Sequence, residues 1–125
     1  MVNQKSIVAV DDSQIVLQTL ERMLGDRYAF QGFSKAQRAL DYIERRPPSL
    51  ILLDIDMPEM DGYEMLELIT EKTELRNIPV IFLTSHKDRD NVLRAVESGA
   101  AAYVIKPIDK EILTDKIEAL LRRSV

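Results

Sequence analysis

The chain has 125 residues, 46% of them hydrophobic and 30% charged, which fits one globular domain with a sizeable core. Its 17 basic and 21 acidic side chains leave a formal net charge of −4 and a pI near 5.0, which argues against nonspecific nucleic-acid binding through phosphate neutralisation. With no cysteine, disulfides, thiolate chemistry and cysteine-ligated metals are excluded.

The opening Met1-Val2-Asn3-Gln4-Lys5-Ser6 leads into Ile7-Val8-Ala9-Val10, a run too short for a signal peptide or membrane span. A cytoplasmic location with no membrane partner is therefore expected. The run stops at Asp11-Asp12, and Val16, Leu20, Met23 and Leu24 then recur at helical spacing, with Asp12 or Ser13 as N-cap and Gly25 just past the end. Tyr28 to Phe33 alternates less cleanly and contains Gly32, which suits an edge strand. Ser34 is expected to cap a helix carrying Ala36, Ala39, Leu40 and Ile43, terminated by Pro47-Pro48. Leu50-Ile51-Leu52-Leu53 stops at Asp54. A loop, Met57-Pro58-Glu59-Met60-Asp61-Gly62, then enters a helix with Leu66 and Ile69 on one face. Val80-Ile81-Phe82-Leu83 stops at Thr84, and a helix through Val92, Ala95 and Val96 ends at Gly99. Tyr103-Val104-Ile105 stops at Lys106-Pro107. The last helix places Ile112, Leu113, Ile117, Leu120 and Leu121 on one stripe, with Asp109 and Glu111 in its first turn and Arg122-Arg123 in its last, as the helix dipole favours.

Strand-like runs alternating with helices predict right-handed crossovers and a parallel sheet covered on both faces. The runs at 7, 50 and 80 are continuously apolar, as strands buried on both faces are. The expected fold is one α/β domain over residues 1–125, a flavodoxin-like (βα)5 doubly wound sheet of five parallel strands in order 2-1-3-4-5. In such sheets ligands sit beyond the carboxyl ends of the strands, where the strand order reverses. That reversal falls between the strands ending in Asp11-Asp12 and Asp54. Three carboxylates crowded there repel unless a cation joins them, and an all-oxygen donor set suits Mg2+, with Mn2+ as the alternative. Asp54 is then the candidate nucleophile, because a carboxylate can form an acyl phosphate. Asp12, with Asp11 acting partly through water, would hold the metal. Lys106 would neutralise phosphoryl oxygens, and the Thr84 hydroxyl would sense the modified state by hydrogen bonding to it.

These residues together resemble the CheY-like receiver domain of two-component response regulators. Val8-Ala9-Val10-Asp11-Asp12-Ser13 is similar to that family's acid-pair segment, and Leu52-Leu53-Asp54-Ile55-Asp56-Met57-Pro58-Glu59-Met60-Asp61-Gly62-Tyr63 to its phosphoacceptor strand and loop. Ile81-Phe82-Leu83-Thr84-Ser85 is similar to its switch-hydroxyl segment, and Gly99-Ala100 through Lys106-Pro107 to its lysine segment. The resemblance implies that Asp54 accepts phosphate from a sensor histidine kinase or phosphotransfer protein. It also implies that Asp11, Asp54 and the main-chain carbonyl of Asp56 bind Mg2+, with Asp12 acting directly or through water. Tyr103 would be the switch aromatic, the Lys106-Pro107 bond would be cis, and Asp56 and His86 would adjust the lifetime of the phosphoryl group. A downstream effector or C-terminal output domain would read the switch, with no nucleic acid bound by this domain itself. The chain would be a monomer or a phosphorylation-dependent dimer.

Two departures stand out. Ala101-Ala102 replaces the acidic residues usual before the aromatic in winged-helix regulators, and Ile108 stands where Phe is common, so acidic partners of that subfamily's dimer face are partly missing. A haloacid-dehalogenase-type phosphatase also uses Asp-x-Asp after an apolar strand, as in Asp54-Ile55-Asp56. That class usually has Thr or Val two residues later, where this chain has Pro58, and its second acid pair is absent here. A flavin or nucleotide module would need a glycine- or hydroxyl-rich phosphate cradle that these loops lack. His86 alone is read as a surface residue, not a metal ligand.

Overall fold

A computed structural model of the chain describes residues 4–86 and 89–123. The elements run β1 (Ser6–Val10), α1 (Gln14–Leu24), β2 (Ala29–Phe33), α2 (Ala36–Arg45), β3 (Leu50–Asp54), α3 (Gly62–Glu71), β4 (Val80–Thr84), α4 (Arg89–Glu97), β5 (Ala102–Ile105) and α5 (Lys110–Arg123). All strand pairs are parallel, and the sheet order is β2-β1-β3-β4-β5, so β2 is indeed an edge.

The continuous apolar runs follow from burial on both sheet faces. Ile7, Ala9, Leu50, Leu52, Ile81 and Leu83 pack against Leu17, Leu20 and Leu24 of α1 and Leu113, Ile117 and Leu121 of α5. Val8, Val10, Ile51, Leu53, Val80 and Phe82 pack against Ala39 and Ile43 of α2, Met65 and Ile69 of α3, and Ala95 of α4. Each of the Val, Leu, Ile, Met and Phe side chains among these contributes roughly 1.5–3 kcal/mol by leaving water.

Several local expectations shift. Ser13, not Asp12, caps α1: its Oγ accepts from Val16 N at 3.3 Å, which leaves the Asp12 carboxylate unused by the helix. Ser34 does not cap α2. The helix starts at Ala36 with Lys35 at the cap position and no side-chain bond there, because that phase puts Ala36, Ala39, Leu40 and Ile43 all on the buried face. In α4, Val96 is 59% exposed, and Ala95 is the one deeply buried hydrophobic residue among those described. In α5 the buried stripe is Leu113, Ile117 and Leu121, four residues apart, whereas Ile112 is turned about 100° away and is exposed. Asp109, just before α5, accepts from Ile112 N at 3.0 Å. The Arg123 side chain lies outside the described residues.

Strand register brings the functional edge together. Val10 is level with Leu53, Asp54 with Leu83, and Thr84 with Ile105. Asp11 and Asp54 are therefore level, Thr84 ends its strand one residue further along, and Lys106 lies one residue beyond that.

Candidate functional site

The site begins with backbone hydrogen bonds that continue past the strand ends. Asp11 N donates to Phe33 O, Ile55 N to Leu83 O, and Lys106 N to Thr84 O, so the first residues beyond β1, β3 and β5 are held as firmly as the strands. Gly62 closes the loop after β3 through its N–H to Ile55 O at 2.8 Å. A Cβ at Gly62 would lie 2.6 Å from Asp54 O, so only glycine lets the loop fold back onto the Asp54 backbone. Asp61 next to it forms a capping box with Glu64 that starts α3.

Asp11 and Asp54 are buried at 0% and 3% exposure, and Asp12 is exposed. One carboxylate oxygen from each of the three lies within 4.8 Å of the others. Asp11 Oδ1 accepts from Ser13 N at 2.9 Å. Lys106 Nζ lies 2.8 Å from Asp11 Oδ2 and 3.3 Å from Asp54 Oδ1. Only the Asp54 contact has hydrogen-bond angles, so the buried Asp11 Oδ2 has an ion partner but no hydrogen-bond donor among the described residues. Burial and the adjacent Asp11 carboxylate push the Asp54 carboxyl up to about 7, while Lys106 pulls the other way. Burial opposes the Lys106 charge, but the Asp11 and Asp54 carboxylates outweigh it and hold the ammonium above its usual range.

A buried oxygen held only by the Lys106 ammonium, a second buried carboxylate and an exposed third one make an oxygen-only donor set open to water on one side. That is what a small hard cation retaining several waters needs. The three acids fit a divalent cation. A hollow of about 610 Å3 borders Asp12 and runs past Lys35, Met57, Pro58 and Glu59. Glu59 in that rim holds φ at 69°, a left-handed backbone conformation unfavourable for Glu.

Thr84 is buried at 3% exposure and its Oγ1 accepts from His86 N at 3.0 Å. Asp56 and His86, expected only to flank the site, are paired: His86 Nε2 lies 2.8 Å from Asp56 Oδ2. Each stands two residues past a site residue on adjacent parallel strands, a spacing that was present in the sequence. Tyr103 sits on edge strand β5, half-buried against the core on the α2, α3 and α4 side. The Lys106–Pro107 bond is cis. Two contacts lay outside the sequence reading altogether. Lys106 grips Asp11 as well as Asp54, and Arg94 of α4 stacks on Tyr63 of α3. Only three-dimensional register could show the first, and the second needs the α3–α4 crossing.

Residues 7–118 match the family model for the response regulator receiver domain. The chain is 35% identical over 121 residues to the two-component response regulator ARR10 of Arabidopsis thaliana, covering 94% of this chain and 21% of that protein. It is 31% identical to response regulator Rre1 of Synechocystis over 94% of this chain and 50% of that one, so it spans between a fifth and a half of these curated relatives. Among solved structures, the signal receiver domain of a signal transduction histidine kinase from Syntrophus aciditrophicus superposes with a TM-score of 0.86 at 32% identity, covering 94% of this chain and 90% of that one. A CheY-like response regulator receiver domain protein from Methanospirillum hungatei gives 0.87 at 29% identity, covering 97% and 96%. The haloacid-dehalogenase-type alternative finds no support in these matches. No described helix is long and apolar enough to cross a membrane. With its strand-end acids, lysine and hydroxyl at one sheet edge and its whole core aligned to these relatives, the chain belongs to the response regulator receiver domain family, the phosphorylation-dependent switch module of two-component signalling.

Proposed function

We propose that Asp54 is the phosphoacceptor, receiving its phosphoryl group from a phosphohistidine of a sensor histidine kinase or phosphotransfer protein. The observation that carries this reading is the convergence of Asp54 with Asp11, Asp12 and Lys106 at one strand edge. An Asp54 oxygen bonds to phosphorus as the phosphorus–nitrogen bond of the donor breaks, and the imidazole keeps the electron pair. Asp11, Asp12, Asp54 and the Asp56 main-chain carbonyl would hold Mg2+, or Mn2+ in its place. That cation, when bound, supplies neutralising charge to the phosphoryl oxygens. Lys106, already paired with Asp54 Oδ1, needs little movement to pair with a phosphoryl oxygen attached to that residue. The Thr84 hydroxyl accepts from His86 N and keeps its own proton free to donate to the phosphoryl group. Tyr103, on the edge strand beside β4, would follow Thr84 and alter the face formed with α4 and α5. Asp56 and His86, spanning the loops above Asp54, would set how readily water reaches the acyl phosphate.

The domain acts as a signalling switch read by an effector or a C-terminal output domain, in the cytoplasm, without touching nucleic acid itself. It works as a monomer or a phosphorylation-dependent dimer. Incubation with acetyl phosphate should add one phosphoryl mass in Mg2+ and none after chelation. Thr84→Ala should still take up the phosphoryl group while losing the downstream response. Equal uptake with and without a divalent cation would overturn the metal assignment, and normal signalling by Thr84→Ala would remove its sensor role.

A further inference from the structure

Tyr63 joins three segments: the phosphoacceptor loop, β4 and α4. It follows Gly62, whose N–H closes the phosphoacceptor loop on Ile55 O. Its ring meets Phe82 edge-on, with centroids 5.2 Å apart at an interplanar angle of 68°. Phe82 lies two residues before Thr84 and so shares its side of β4. The Arg94 guanidinium of α4 covers the Tyr63 ring at 3.9 Å from the centroid. This matters because α4 is lightly seated: Ala95 is its one deeply buried hydrophobic residue among those described, and Leu93 and Val96 are 45% and 59% exposed. The Tyr63 hydroxyl is buried with no hydrogen-bond partner among the described residues, a cost the clamp tolerates only while ring packing outweighs it. In the same arrangement Lys106 lies directly on Asp54 Oδ1 and the Thr84 oxygen is tied to His86 N.

We infer that Arg94 and Tyr63 form a latch that holds α4 against the phosphoacceptor loop and the Thr84 strand, so that these two positioning residues couple the position of α4 to the state of Asp54. The coupling depends on the phosphoacceptor reading given above, whereas the seating of α4 does not. A contact made in this arrangement and lost when α4 shifts biases the equilibrium toward this arrangement. By linkage, removing it should favour any ligand that prefers the shifted form.

The test uses the full chain and two readouts. Amide hydrogen exchange over Arg89–Glu97 reports the seating of α4, and equilibrium binding of beryllofluoride with Mg2+ reports the modified-like state. Arg94→Met keeps the aliphatic stem but not the cation, and should speed exchange in α4 by about two- to tenfold, the range of an exposed to partly desolvated cation–π contact. It should tighten beryllofluoride binding by a similar factor. Tyr63→Leu should do the same, and the double variant should add little to either single one. Tyr63→Phe keeps the ring and sheds the orphaned hydroxyl, so α4 should exchange no faster and beryllofluoride should bind no tighter than in the parent chain. Unchanged α4 exchange in Arg94→Met, or effects of the two single variants that simply multiply in the double, would overturn the latch. Faster exchange with unaltered beryllofluoride affinity would overturn the coupling and leave a purely structural contact. If the unsubstituted chain binds no beryllofluoride and takes no label at Asp54, it is the phosphoacceptor reading that fails, and α4 exchange still decides the latch.

Discussion

Asp54 carries opposed demands in one side chain. Its burial raises the carboxyl to about 7 against an ordinary value of 3.8. The folded chain therefore retains a proton that the unfolded chain releases between those values. Folded-state stability should fall as pH rises from about 4 to about 7 and level off above that. In chelator, denaturant midpoints should register a loss on the order of 2 kcal/mol across this window, and Asp54→Asn should flatten the slope. A slope that persists unchanged in Asp54→Asn would place its source elsewhere. Glu59 makes a second point at this scale. At φ 69° a residue with a Cβ is strained by about 1–2 kcal/mol, so Glu59→Gly should stabilise the fold by about 0.5–1 kcal/mol once the added freedom of the unfolded chain is deducted. Equal or lower stability in a denaturant titration would contradict this. Asp54 and Lys106 were legible in the sequence because each ends an apolar run. The left-handed turn at Glu59 was not, since nothing in Met57-Pro58-Glu59-Met60 demands a glycine-like backbone.

The elements show where pattern reading works and where it weakens. In α2 the spacing of Ala36, Ala39, Leu40 and Ile43 identified the whole buried face, because four small and aliphatic side chains repeat with one phase. In α4 the same logic placed Val96 with Ala95, yet Val96 is 59% exposed, so the face this helix buries is narrower than its apolar spacing suggests. The start of α3 is better determined. Asp61 Oδ1 accepts from Glu64 N at 2.9 Å, and the Glu64 side chain returns to Asp61 N at 3.2 Å, immediately after the loop that carries the site. Asp61→Ala should lower stability by about 0.5–2 kcal/mol in chemical denaturation. Because Gly62 anchors that loop to Ile55 O, acetyl phosphate labelling should also slow. A variant as stable as its parent would show that the box is incidental.

For the molecule as a whole, parallel register explains why residues 11, 54, 84 and 106, far apart in the chain, form one site. Their four strands are adjacent, and each pair is offset by no more than about one residue at the carboxyl edge. A cation bound by three acids from two of those strands, as proposed above, would tie them together and stabilise the folded state by mass action. Millimolar Mg2+ should raise the melting temperature by several degrees, and Asp12→Ala should remove most of that rise without a large loss in chelator, since Asp12 caps nothing. An unchanged Mg2+ response in Asp12→Ala would exclude its carboxylate from the metal site. The most direct test of the account is where the phosphoryl group resides. After acetyl phosphate and Mg2+ treatment, peptide mass analysis should locate one phosphoryl group on the segment containing Asp54, and Asp54→Asn should carry none. Undiminished incorporation in Asp54→Asn would contradict the account.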